Sequence, residues 1–195
     1  ELVAYPRLKG IENYPFINAI VRKPDDKNLT FGGSFFHNDN PYSGKDRPRY
    51  TTLHGIEIPA GQGNTIFSSG FNAYEKLPKD IKEKIKYATG VFSSEGPIAI
   101  TRVEREKEMG IKSAAKMEAE QPIVQDINGK KSLYVSPGHL MKIKNVANDE
   151  SDELKKFLLD HVNKKEFIFS YEWSKGDVIL WDNLSVMHKA SEIKN

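Results

Sequence analysis

Two imidazoles and a carboxylate stand in two short segments 151 residues apart: His37-Asn38-Asp39 near the start of the chain, and His188 behind Trp181-Asp182-Asn183 near its end. That separation constrains the fold more than any other feature. If the three groups act together, an early strand and a late strand must lie side by side. On an extended strand, side chains at i and i+2 share a face, so His37 and Asp39 can grip one ion while Asn38 faces away. Two histidines and one carboxylate are the ligand set of a facial-triad iron(II) site, which leaves coordination positions open for oxygen chemistry. With no cysteine in the chain, no thiolate competes for a softer metal. Taken alone, His-x-Asp recurs by chance, and a single late histidine is as readily a hydrogen-bonded surface group; both readings stay open on these residues.

The texture around the two segments is compatible with such a fold. Before residue 70, Asn18 to Val21, Leu29 to His37, Tyr50 to Ile58 and Thr65 to Ser68 are extended candidates separated by Pro, Gly, Asn and Asp. Gly32-Gly33 ahead of His37 suggests a close backbone approach. Phe71, Tyr74 and Leu77 then set a helical spacing, and Pro78 opens a second helix from Lys79 to about Ala88. Residues 103–119 read as a charged helix or a mobile segment, and 99–120 as a candidate lid. Strands return with Pro122 to Asp126 and Ser132 to Val135 about Asn128-Gly129, the strongest short hairpin signal in the chain. Ser151 is expected to cap a helix with Leu154, Phe157, Leu158 and Val162 as its apolar stripe. Phe167 to Trp173 alternates as a strand, Gly176-Asp177 turns, and Val178 to Trp181 reads as a buried strand leading to His188. Strands at both ends with helices between them predict a mainly β chain with inserted helices, a β-sandwich or a jelly roll.

Composition narrows the function. Twenty-nine Lys and Arg against 27 Asp and Glu leave a net charge of +2, with the basic residues scattered rather than striped, which argues against nucleic acid as a partner. No apolar run approaches the roughly 18 residues that span a bilayer. The expectation is one soluble, cytoplasmic domain over residues 1–195, homo-oligomeric and acting on a small molecule, with residues missing from both ends. His54, His139 and His161 have no partner at ligand spacing.

Four blocks of sequence, in order, resemble the taurine dioxygenase/2,4-D dioxygenase family. They are Phe31-Gly32-Gly33-Ser34-Phe35-Phe36-His37-Asn38-Asp39; Pro59 to Phe67 with Ala73-Tyr74-Glu75-Lys76-Leu77; Gln121-Pro122-Ile123-Val124 with Gly129 to Val135; and Gly176 to Asn183 with His188-Lys189-Ala190. The resemblance implies a double-stranded β-helix and an Fe(II)- and 2-oxoglutarate-dependent dioxygenase that uses O2 and releases succinate and CO2. It implies His37, Asp39 and His188 as the metal ligands and catalytic centre, and Thr65 as the hydroxyl that meets a carboxylate of 2-oxoglutarate. Asp39 at its position argues against a halogenase, whose relatives carry a small residue there. The implied substrate is small and anionic, sulfonate- or aryloxyacetate-like, with Asn38, Asn40 and Tyr42 as residues beside the metal motif that would line its pocket. Phe36 stands where the family has Trp, Asn64 where it has Asp, and Gln121 where it has His. The family's arginine for the far carboxylate of 2-oxoglutarate falls beyond the distal histidine, and the chain ends at Asn195 before reaching it; Arg47, Arg49, Arg102 and Arg105 are not assigned in its place. The rival readings are a metal-dependent isomerase or hydrolase using the same triad, and a non-catalytic binding protein on the same fold.

Overall fold

The computed structural model describes residue 2 and residues 10–22, 35–99, 115–147 and 150–193. After a 3-10 turn at Pro41–Asp46, the elements are β1 (Tyr50–His54), β2 (Thr65–Ser69), α1 (Gly70–Glu75), α2 (Lys79–Ile85), β3 (Thr89–Ser93), β4 (Glu118–Pro122), β5 (Val124–Ile127), β6 (Lys130–Leu133), β7 (Leu140–Lys144), α3 (Ser151–Val162), β8 (Ile168–Tyr171), β9 (Val178–Asp182) and β10 (Val186–Ala190). The pairings are antiparallel and join distant parts of the chain. β1 pairs with β9, β2 lies between β10 and β8, and β3 lies between β4 and β7. The required meeting of early and late strands is therefore met twice, and the result is a mainly β jelly-roll architecture without a closed barrel among the described residues.

The core lies between the β4–β3–β7 sheet and the helices. Phe92, Tyr134, Leu140, Leu158 and Ile85 are almost fully removed from water, and Phe36 and Met187 extend the cluster towards the ligand-bearing segments. In α3, Leu154, Leu158, His161 and Val162 face inward at spacings of four, three and one, as a helix packed along one stripe requires. Phe157, expected in that stripe, is 38% exposed at its margin and stacks on the His161 ring at 5.8 Å. The hairpin forms as read: Asn128 and Gly129 both take positive φ (54° and 83°), the geometry of a tight two-residue turn between β5 and β6.

Several elements differ from expectation. Asn18 to Val21 joins no ladder, and the strand begun at Tyr50 stops at His54, where the Gly55 amide donates to Asp177 O and the Gly176 amide to Gly55 O. Ser151 is the first helical residue rather than the cap; its hydroxyl donates to Ile143 O at 2.9 Å and ties α3 to β7. β9 is not buried throughout. Among the described residues it pairs with β1 alone, and along it Val178 and Leu180 stand 62% and 65% exposed while Trp181 is buried. β3 and β7 carry no clear sequence signal. β3 holds Gly90 at its second position, where a Cβ would lie 2.8 Å from the Leu140 side chain and the Phe92 ring. Of the segment 103–119, residues 118 and 119 begin β4 as strand, and residues 103–114 lie outside the described residues. Most of the lid expected over 99–120, and Gly32-Gly33, lie outside them too. Among the described residues no helix is long and apolar enough to cross a membrane.

Candidate metal centre

His37 and His188 are held together by backbone: each amide donates to the other's carbonyl, at 2.9 and 2.8 Å, in an isolated antiparallel bridge. β10 carries His188 and is itself anchored in register on β2, with His188 opposite Phe67. Asp39 follows His37 by two residues, and its Oδ1 lies 4.0 Å from His37 Nε2 and 3.6 Å from His188 Nε2. The donor atoms of His37, Asp39 and His188 all fall within 4.8 Å of one another, the one such cluster among the described residues.

The chemistry of the donor set fits a divalent metal. His37 Nδ1 lies 3.1 Å from Phe35 O; a carbonyl can only accept, so Nδ1 carries the proton and Nε2 presents a bare lone pair. Burial is the main influence on His188 and pushes it down to about 4, against the pull of Asp39 and with help from His37, so its imidazole is neutral near pH 7. Burial acts to raise Asp39, but the imidazoles of His188 and His37 and hydrogen bonds from Thr51 and Asn183 outweigh it and hold the carboxyl below its usual range. An imidazole that aims Nε2 at the site, a second that burial keeps neutral and a carboxylate held ionised, converging on one point, are what a hard-to-borderline cation needs.

The surrounding residues divide by what they touch. Asn38 is buried and committed elsewhere: its amide donates to Asn183 O (2.6 Å) and Val186 O (2.9 Å), fastening the His37 segment to the β9–β10 turn. Asn40 takes a left-handed conformation and accepts from the Tyr42 hydroxyl at 2.8 Å. The Tyr42 ring meets His139 edge-on at 5.1 Å, and His139 meets His37 edge-on at 6.1 Å. His139, which the sequence left without a ligand-spaced partner, thus forms part of the wall behind the triad through a fold contact invisible in the sequence. Trp181 and Phe67 cover the other flank, with ring centroids 4.6 and 6.3 Å from that of His188. Thr65 is buried on β2, two positions from Phe67 and so on the same face, and its hydroxyl oxygen accepts from Trp173 Nε1 at 3.0 Å. Arg49 pairs with Asp182 at 3.2 Å, and Arg47 donates to Gly44 O and Gln125 Oε1. Arg102 and Arg105 lie outside the described residues.

The chain is similar in sequence and fold to known proteins. The model of the taurine catabolism dioxygenase TauD, TfdA family matches residues 5–195. An alkylsulfatase from Acinetobacter baylyi is 33% identical over 153 residues, which is 73% of this chain and 47% of that protein. An alpha-ketoglutarate-dependent 2,4-dichlorophenoxyacetate dioxygenase from Cupriavidus pinatubonensis is 25% identical over 195 residues, 95% of this chain and 64% of that one. Among solved structures, a taurine dioxygenase from Burkholderia xenovorans superposes with a TM-score of 0.75 at 25% identity, covering 97% of this chain and 60% of its own. The chain belongs to the TauD/TfdA family of dioxygenases. It spans between 44% and 64% of the length of the first curated relatives it matches.

Proposed function

We propose that this chain carries the Fe(II) site of a 2-oxoglutarate-dependent dioxygenase acting on a small anionic substrate of the sulfonate or aryloxyacetate kind. The observation that carries this reading is the convergence of the donor atoms of His37, Asp39 and His188 within 4.8 Å, in a chain that the family matches over residues 5–195. When bound, Fe(II) with 2-oxoglutarate and O2 supplies oxidation of a substrate C–H bond to C–OH, with 2-oxoglutarate converted to succinate and CO2.

The chain's own residues prepare for that chemistry. Phe35 O orients the His37 ring so that Nε2 faces the site, and burial keeps His188 unprotonated, so that His188 reaches the metal without first losing a proton. With three donors on one side, the opposite side is left to co-substrate and oxygen. Thr65 accepts from Trp173 through its oxygen, so its own hydroxyl proton remains to donate to a carboxylate of 2-oxoglutarate. Trp181 and Phe67 keep water from the His188 flank. Support for the substrate class comes from relatives named as an alpha-ketoglutarate-dependent sulfonate dioxygenase from Saccharomyces cerevisiae and a sulfate ester dioxygenase from Pseudomonas putida.

The test is an anaerobic titration with Fe(II) followed by 2-oxoglutarate, watching the weak visible charge-transfer band of their complex, and then an aerobic screen of alkyl sulfonates, sulfate esters and aryloxyacetates for succinate release. The band, its loss in His37→Ala, and turnover with one of these anions are expected. Tight metal binding with no band would replace this reading with a metal-dependent isomerase or hydrolase.

A further inference from the structure

Asp39 has two carboxylate oxygens, and the structure treats them differently. Oδ1 faces the two imidazoles. Oδ2 is turned the other way and lies 2.6 Å from Thr51 Oγ1. The direction of that hydrogen bond follows from the partners one step further out. Asn183 Oδ1 lies within reach of two groups that can only donate, the Trp181 indole N–H at 3.2 Å and the Asp39 backbone N–H at 3.1 Å. Its amide orientation is thereby settled, and Nδ2 is the atom that reaches Thr51 Oγ1, at 2.8 Å. Because Thr51 accepts from Asn183, its single hydroxyl proton is free to go to Asp39 Oδ2. Asn183 is in turn locked by backbone: its N–H donates to Arg49 O at 2.7 Å and its carbonyl accepts from Asn38 Nδ2 at 2.6 Å. Thr51 and Trp181 face each other in the β1–β9 register, so the relay is built into that pairing.

We propose that Thr51, oriented by Asn183, is a positioning residue that holds Asp39 Oδ2 away from the metal and restricts the carboxylate to one coordinating oxygen. A carboxylate free to turn can close on a metal through both oxygens and would then occupy a position that co-substrate or oxygen requires. A hydroxyl donating to Oδ2 opposes that rotation with a charge-assisted hydrogen bond, and pre-organises Oδ1 before metal arrives. The inference rests on the triad being the metal site, and adds a role for two residues outside the triad, Thr51 and Asn183.

The test compares Mn(II) affinity, read from free Mn(II) by electron paramagnetic resonance, in the wild-type protein, Thr51→Ser and Thr51→Val, together with the infrared difference spectrum of the wild type on Mn(II) loading. The serine variant keeps the hydroxyl and is expected to bind like the wild type. The valine variant keeps the shape and loses the donor, and is expected to bind at least about tenfold more weakly, the scale found for groups that orient metal ligands. The infrared difference is expected to show the wide splitting of a one-oxygen carboxylate. Equal affinity in the valine variant, or the narrow splitting of a two-oxygen carboxylate in the wild type, overturns the proposal. Should Thr51→Val fail to fold, the wild-type infrared splitting decides alone. Absence of Mn(II) binding by the wild type would instead bring down the triad on which the proposal stands.

Discussion

The two sides of this molecule bury different things. On one, the β4–β3–β7 sheet packs under α3, and Phe92, Leu140 and Leu158 lose essentially all contact with water. On the other, the β1–β9 ribbon and the β10–β2–β8 sheet enclose a polar network: Asn38, Asn183 and Thr51 bond to one another, to backbone and to Asp39. The outward apolar residues of that side stay in water, with Phe169 at 62% and Leu180 at 65% exposure. A groove of about 420 Å³ runs between β8 and β9, floored by Phe67 and Trp181. Apolar burial holds the first side together, while hydrogen bonds with fixed donors and acceptors hold the second. Stability and the geometry of the candidate site are therefore carried largely by separate sets of residues, so each can be disturbed with little effect on the other.

The strongest way to break that division is Phe92→Ala. Removing a fully buried ring should cost about 3–5 kcal/mol in a denaturant titration, whereas the triad variant Asp39→Ala, lying on the polar side, should leave the metal-free protein folded by circular dichroism. Next in size, Mn(II) at a hundred times its dissociation constant should stabilise the wild type by about 2.7 kcal/mol, an increment measurable as a shift in unfolding midpoint and absent from Asp39→Ala. A smaller effect tests the apolar side. His161 is buried against Phe157 and Phe167, donates to Ala73 O at 2.8 Å, and has its pKa lowered from 6.5, by burial first and foremost. The folded state therefore resists the proton that the unfolded chain accepts, so its contribution is present above pH 6.5 and is lost as the pH falls below that. Urea midpoints between pH 7.5 and 5.5 should fall more steeply for the wild type than for His161→Leu. The smallest effect belongs to the exposed strand: Leu180→Ser should change stability by no more than about 0.5 kcal/mol, and a larger loss would show that the β9 surface is covered.

The candidate cluster was legible because its residues sit in recognisable local words, His37-x-Asp39 and Trp181-Asp182-Asn183 followed by His188, and because strands at both ends of the chain implied that early and late segments meet. The hairpin at Asn128-Gly129 was legible for a local reason too: left-handed backbone in two successive residues demands those types. What could not be read depends on contacts across the chain. Thr51 lies 12 residues from Asp39 and 132 from Asn183, and a threonine on a strand announces neither. His139 reaches His37 only through the fold. β3 hides behind Gly90 near its start, and β4, written Glu-Ala-Glu-Gln-Pro, has little strand propensity and is a strand because β3 pairs with it. β9 misled in the opposite sense, since its run of Val, Ile and Leu suggested burial on both faces, and only alternate residues are covered.

The claim on which the rest depends is that His37, Asp39 and His188 bind one metal ion together. Anaerobic equilibrium dialysis against Fe(II), with iron and protein quantified in the wild type and in folded His188→Ala, addresses it most directly. The account predicts one iron per wild-type chain and loss of tight binding in the variant. Equal iron in both, or none in the wild type, would contradict it.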